Sequence, residues 1–347
     1  MRLSRVLLVT NNFPPVRGGS AVVYGSLARF AGGRVIAVAP RRSYADGLPL
    51  IGWREHDRCA PYRVVRLPLL RTLLDPTPNG WQRLVRLFAD TAIRVRLAAM
   101  LLSLIVAEGT RAVCIGELVA SGWIVTLLRW VPGVRVVIYV HGEEITTADP
   151  YDRDANRRRR TLLAADGIVA VSRFTQTALR RLLGAAARQN IILIENGVDT
   201  ERFTPRSRRP DLVARYQLAK NFVFVSVCRL LEKKGLDQAI RAFAVARCRH
   251  PACRYLIVGS GPYRATLERI AMEEGVAVSV EFAGEVSDQE LADHYCLGDA
   301  FIMPNRRLEN GDTEGFGLVF LEANASGLPV IAGQDGGSTD AVRHGVN

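Results

Sequence analysis

Lysine is nearly missing from this chain of 347 residues: Lys220, Lys233 and Lys234 stand against 43 arginines. A sequence that writes almost every cation as Arg, yet sets two lysines side by side, marks that pair as a place suited to compact, mobile ammonium groups. Cysteine is scarce as well. The six (Cys59, Cys114, Cys228, Cys248, Cys253 and Cys296) contain no CxxC pair, which argues against a disulfide framework and reads as reduced core thiols of a cytoplasmic protein. Cys248, His250 and Cys253 have no second ligand cluster beside them, which argues against a metal site. Long apolar runs are absent: residues 97–107 are too few to span a bilayer, residues 119–140 are broken by Arg129, Pro132 and Arg135, and residues 6–9 are too short for a signal peptide. Aromatics make up only 7% of the chain and no recognition motif accompanies them, so nucleic acid is not an expected partner. No G-x-G-x-x-G follows the first predicted strand and no G-x-x-x-x-G-K-[ST] occurs, which excludes a fingerprint-bearing dehydrogenase and a P-loop NTPase.

What the chain does have is length and apolar content, 48% hydrophobic with a mean hydropathy of +0.09, enough for two ordinary domains. The net charge of +12 is unevenly spread: 32 basic and 16 acidic side chains precede Asp211, against 14 and 18 from there on. A basic first half attracts phosphorylated substrates and anionic membrane surfaces. Residues 81–104 interleave Arg83, Arg86, Arg94 and Arg96 with Trp81, Phe88 and leucines at helical spacing. That pattern fits a helix lying on a membrane, and equally a solvated helix with one core face. Arg157 to Arg160 carry the same ambiguity.

Short apolar strands alternate with helical segments throughout. Strands are predicted at 5–10, 35–39, 63–67, 112–115, 134–140, 167–171 and 191–194, and after the Pro- and Arg-rich stretch 203–210 they resume at 222–228, 255–258, 278–282, 301–303 and 330–332. The alternation predicts an α/β protein with two doubly wound parallel sheets, divided into domains 1–205 and 206–347. Ligands of such sheets bind beyond the C-terminal ends of strands, and the polar oddities of the chain fall at those ends. They are Gly18-Gly19, His141-Gly142, Arg229 with Lys233-Lys234, Gly259-Ser-Gly-Pro262, and the run from Glu314 to Glu322.

The run Glu314-Gly-Phe-Gly-Leu-Val-Phe-Leu-Glu322 is the richest of these. Glycines at 315 and 317 free the backbone, and residues 318–325 read as a helix that stops at Gly327. A helix start presents unpaired N–H groups that favour phosphate. One carboxylate then stands before the phosphate site and the other a turn inside the helix, a layout suited to a nucleotide sugar. The bland alternative places Glu322 on the solvent face of an amphipathic helix.

Together, Gly18-Gly19, His141-Gly142, Asn196-Gly-Val-Asp199, Arg229-x4-Lys234-Gly235, Gly259-Ser-Gly-Pro262 and Glu314-x7-Glu322 resemble the retaining glycosyltransferases of family 4. The resemblance implies a GT-B fold, two Rossmann-like domains facing across a cleft, and transfer of a hexosyl group from a GDP- or UDP-sugar to a lipid-linked or saccharide acceptor. It implies that Arg229 and Lys234 hold the donor diphosphate with the N–H groups of Phe316, Gly317 and Leu318. Glu322 would bind ribose, Glu314 and His141 the sugar, Val286 would lie near the base, and Gly18 and Gly19 would admit phosphate and acceptor to the backbone. Two cations and a helix start also stabilise a departing nucleoside diphosphate on general grounds. No cofactor and no metal ion are implied.

Alternatives accompany several residues. Glu143 or Glu144 could supply an acid in place of His141, and Asp152-Arg-Asp154 matches a D-x-D metal pattern within an Arg-rich segment. The polar loop 305–313 is expected to be mobile. Proteins of the family continue past the point corresponding to Asn347, so the second domain is expected to be incomplete. An epimerase of the same architecture would invert donor sugar without an acceptor, and a non-catalytic binder would take nucleotide sugar without releasing nucleoside diphosphate. The expected location is cytoplasmic, peripheral to the inner face of the plasma membrane.

Overall fold

Runs of Val, Ile, Leu and Ala apolar on both faces belong in parallel strands covered on each side, and the chain uses them that way. The computed structural model describes residues 5–73, 80–149, 152, 155–187 and 190–347. By its internal contacts the chain divides into two units, one of Met1–Ile145, Asp149–Val171 and Gln176–Ile194, the other of Thr146–Ala148, Ser172–Thr175 and Glu195–Asn347.

The first unit carries β1 (Val6–Val9), β2 (Val35–Pro40), β3 (Arg63–Leu67), β4 (Ala112–Ile115), β5 (Arg135–Val140), β6 (Gly167–Ala170) and β7 (Asn190–Leu193). They form one parallel sheet in the order 3-2-1-4-5-6-7. The order reverses between β1 and β4, so this sheet opens its ligand crevice beyond Val9 and Ile115. Leu7, Val9, Ile36, Val38, Ile115 and Ile138 are buried in its core with Leu97, Leu101 and Leu104 of the helix Gly80–Glu108. Each such side chain contributes about 1.5–3 kcal/mol by leaving water. Only the second half of that helix is packed: Trp81 and Phe88, in the first half, are each 74% exposed.

In the second unit β8 (Phe222–Val227), β9 (Cys253–Val258), β10 (Val280–Gly284), β11 (Ala300–Met303) and β12 (Val330–Ala332) form a parallel sheet in the order 10-9-8-11-12. Its reversal lies between β8 and β11, beyond Val227 and Met303. Every predicted strand is present, with ends displaced by two residues at most. β9 begins two residues early, and β10 is displaced by two at both ends, because Ala277–Ser279 closes a 3-10 turn before that strand begins. The cysteines are all free thiols, but Cys59 and Cys248 are exposed rather than in the core, since each sits at a helix end away from the sheets.

Candidate active site

Beyond β8 the chain passes Cys228 and Arg229 and makes a single 3-10 turn, Glu232–Lys234. Gly259 brings the loop after β9 down onto this segment. Its φ is +128°, and a Cβ there would stand 2.0 Å from the Cys228 carbonyl oxygen. Leu230 N–H donates to Ser260 O at 2.8 Å and Tyr263 N–H to Leu230 O at 3.1 Å, so two strand ends are laced together. Arg229 is left exposed at this rim, with no side-chain partner among the described residues. Burial pushes the Cys228 thiol up to about 12, which removes it as a nucleophile.

The two lysines are each matched by a carboxylate from the far side of the switch point. Lys233 Nζ donates to Asp312 at 2.7 Å, and Lys234 Nζ to Glu314 in a close ion pair whose side chains are only 14% and 15% exposed. Burial would raise the Glu314 pKa, but the charge and hydrogen bond of Lys234, the charge of Lys233 and the Phe316 N–H outweigh it and hold the pKa below the usual value. Glu314 is therefore an anion at neutral pH.

The loop 305–313, expected to be mobile, is pinned instead. Arg306 donates its N–H to Lys233 O at 2.8 Å and its guanidinium to Asp237 at 2.7 Å, and Thr313 Oγ1 donates to Asp335 at 2.6 Å. Its polar residues are the countercharges of the lysine turn and of the helix behind it. From there Gly337 N–H donates to Glu314 O at 2.7 Å, which holds the chain as it enters the helix Leu318–Ala325.

That helix starts at Gly317 with φ +88° and no side-chain cap. A Cβ at 317 would be 2.5 Å from the Phe320 ring, so glycine is needed both for the turn and for the close approach. Phe316, Gly317 and Leu318 stand at the uncapped start. Glu322 lies one turn on and is 8% exposed, which overturns the solvent-face alternative. Tyr295 Oη donates to Glu322 Oε2 at 2.6 Å, and Tyr295 stacks on Phe301 at 5.9 Å. Burial raises the Glu322 pKa, partly offset by the Tyr295 hydrogen bond. Val286 is half-buried two residues past β10.

In the first unit Gly18, at φ +150°, precedes the helix Gly19–Phe30, and no atom would obstruct a Cβ at 18. Glycine there serves backbone conformation and open space. His141 follows β5, and its Nε2 lies 2.8 Å from the hydroxyl of Tyr24, which the helix Gly19–Phe30 carries. Burial lowers the His141 pKa to about 4, so the ring is neutral at pH 7. Glu144, considered as an alternative acid, turns back to accept from the N–H groups of Gly142 at 2.9 Å and His141 at 3.2 Å, the closing of a helix start. Burial raises it to about 7. Asp152 is likewise spent: it accepts from Arg157 N–H and Arg158 N–H at 2.9 Å each and pairs with the Arg158 guanidinium at 3.1 Å. Asp154, the other half of the D-x-D pattern, lies outside the described residues.

Two family models match the chain, one on each side of the segment 203–208. Residues 18–202 match the model for Glycosyltransferase Family 4 and residues 209–347 that for Glycosyl transferases group 1. A GDP-mannose-dependent alpha-(1-6)-phosphatidylinositol monomannoside mannosyltransferase of Mycobacterium tuberculosis strain H37Rv is 36% identical over 99% of this chain and 83% of its own length. The chain belongs to the family 4 glycosyltransferases. The transferase is also 35% identical to the Mycolicibacterium smegmatis enzyme of the same description, over 98% of this chain and 83% of that protein. Its fold is GT-B: Anabaena Alr3699/HepE in complex with UDP and glucose aligns with a TM-score of 0.70, at 21% identity over 99% of this chain and 84% of that one. Sucrose-phosphate synthase from Thermosynechococcus elongatus gives a TM-score of 0.71, at 22% identity, over 96% and 82%.

The structure of the transferase brings Lys234, Glu314, Phe316, Gly317, Leu318 and Glu322 together at one helix start, with Arg229 on the neighbouring strand end. It brings His141 and the Gly18-Gly19 helix together through Tyr24. Sequence reasoning missed three supporting residues: Tyr24, Tyr295 and Glu117. Glu117, just beyond β4, accepts from Thr10 Oγ1 at 2.6 Å and from the N–H groups of Asn11 at 2.9 Å and Asn12 at 3.1 Å. It anchors the loop that leads to Gly18. Its place beyond a switch-point strand was the one available signal.

Proposed function

We propose that this transferase moves mannose from GDP-mannose, with retained configuration and without a metal ion, onto a phosphatidylinositol-mannoside glycolipid at an anionic membrane surface. The observation that carries the reading is the buried Lys234–Glu314 pair at the uncapped start of Leu318–Ala325. It holds one cation for a diphosphate and one carboxylate for sugar hydroxyls within a single contact. Arg229 adds a second cation, and the N–H groups of Phe316, Gly317 and Leu318 add dipoles aimed at charge that grows as the nucleoside diphosphate departs. Glu322 takes ribose hydroxyls, Val286 borders the base, Glu314 and His141 orient the sugar, and Gly18 and Gly19 give acceptor and phosphate access to the backbone. With the leaving-group charge met by Arg229 and Lys234, the reaction needs no Mg²⁺ or Mn²⁺. The donor and acceptor follow the mannosyltransferases to which the chain is more than one-third identical.

A membrane location is supported by the projecting half of Gly80–Glu108. Trp81, Leu84, Val85, Leu87 and Phe88 are all exposed there among Arg83 and Arg86. No helix among the described residues is long and apolar enough to cross a membrane. The functional test is a panel of nucleotide sugars measured for binding and for release of nucleoside diphosphate, with phosphatidylinositol-mannoside vesicles present and absent. GDP-mannose with the glycolipid should give the fastest release. Equal turnover of UDP-glucose, or epimerised sugar without acceptor, contradicts the assignment.

A further inference from the structure

The tautomer of His141 is settled by hydrogen-bond arithmetic. Tyr24 is fully buried, and its hydroxyl lies 2.7 Å from the Gly116 carbonyl oxygen and 2.8 Å from His141 Nε2. A carbonyl oxygen only accepts, so the single phenolic proton goes to Gly116. The contact with His141 then requires its proton from the imidazole. The opposite tautomer would leave one of the two close contacts without a hydrogen, inside a buried site where an unmade hydrogen bond is costly. Nε2 therefore carries the hydrogen. Burial keeps the ring neutral at pH 7, so Nδ1 is an unprotonated acceptor, and it has no hydrogen-bond partner among the described residues. The ring is also fixed in place, edge-on to Tyr24 at 5.2 Å and against Tyr139 at 5.3 Å.

We propose that Tyr24 is a positioning residue that locks His141 as the Nε2–H tautomer, so that His141 meets the donor sugar as a hydrogen-bond acceptor through Nδ1 and accepts a hydrogen bond from one sugar hydroxyl. This rests on the assignment of His141 to the sugar. It makes His141 an orienting group for a hydroxyl that donates, with no proton to give on its open side.

Two measurements separate the tautomer from the sugar contact. Ring ¹⁵N shifts of the five histidines, with His141 assigned by its disappearance in His141→Gln, should show a protonated Nε2 and an unprotonated Nδ1. In Tyr24→Phe, where the ring volume stays and the hydroxyl goes, those shifts should move toward a mixture of tautomers. Donor affinity should fall about threefold to tenfold, the worth of one neutral hydrogen bond, with affinity for free GDP unchanged as a folding control. Competition by monodeoxy and monofluoro GDP-mannose analogues should then find one position where both substitutions weaken binding alike, because fluorine accepts but does not donate. That sensitivity should vanish in His141→Ala. A protonated Nδ1 in the wild type, or unchanged shifts in Tyr24→Phe, overturns the lock on the tautomer. A fluoro analogue that binds as well as GDP-mannose where the deoxy analogue does not overturns the acceptor role. If the shifts behave as expected but no position is sensitive to His141→Ala, the sugar assignment fails and the proposal with it.

Discussion

Removing Lys234 should damage the transferase twice, and the two effects can be separated. In Lys234→Ala the Glu314 carboxylate stays behind with only 15% of its side chain exposed, its hydrogen-bonded ammonium gone and only the charge of Lys233 left to offset it. Breaking a buried pair by deleting one partner costs about 3–5 kcal/mol. The residual exposure of both groups places the loss toward about 3 kcal/mol. Deleting both charges, Lys234→Ala with Glu314→Ala, leaves no stranded anion, so the double variant should be more stable than the single one. Donor binding follows another order. Each variant lacks the cation, and losing one charge-assisted contact to a diphosphate costs about 2–4 kcal/mol, roughly 30- to 1,000-fold in affinity. The pair also predicts a pH dependence. The folded-state pKa of Glu314 is depressed below 4.5, so its contribution to stability is complete above the unfolded value and is lost as pH falls through the folded one. Urea midpoints at pH 7 and pH 4, with calorimetric titration of GDP, measure both effects. A double variant less stable than Lys234→Ala, or either variant with wild-type GDP affinity, refutes the reasoning.

The remaining expectations concern neighbouring groups. Glu322→Ala should weaken binding of GDP but not of 2′,3′-dideoxy-GDP, whereas Glu314→Ala should spare free GDP and reduce transfer. Equal effects of the two changes on GDP reverse that assignment of roles. Activity should survive EDTA; its abolition with rescue by Mn²⁺ would return attention to Asp152 and Asp154. Vesicle co-sedimentation should show binding to anionic lipid that fades with salt, at about 1 kcal/mol per basic residue near the surface, and that is lost on Trp81→Ala with Phe88→Ala. Equal binding to neutral lipid argues against an electrostatic anchor.

The strands and their polar ends were legible because parallel strands buried on both faces leave continuous apolar runs, and because glycines mark places where backbone must approach backbone. Residues 318–325 were read as a helix to the residue, since Gly317 and Gly327 punctuate both ends. Pairings between distant residues were not legible. Lys234 meets Glu314 across 80 positions, Asn12 meets Glu117 across 105, and His141 meets Tyr24 across 117. Nothing local distinguishes Tyr24 or Tyr295 from any core tyrosine. Nor did the D-x-D spacing show that Asp152 accepts from the first N–H groups of the helix Asn156–Ala164. Loop 305–313 looked mobile because its charges had no visible counterparts, which the fold supplies from Lys233 and Asp237.

The most direct test of the central claim is the anomeric configuration of the product. Purified transferase, GDP-α-mannose and phosphatidylinositol-mannoside vesicles are incubated with EDTA, and the one-bond carbon–hydrogen coupling at the new anomeric centre is read by NMR. The account predicts transfer of mannose with an α linkage. A β linkage, or release of GDP and free mannose with no glycolipid product, contradicts it.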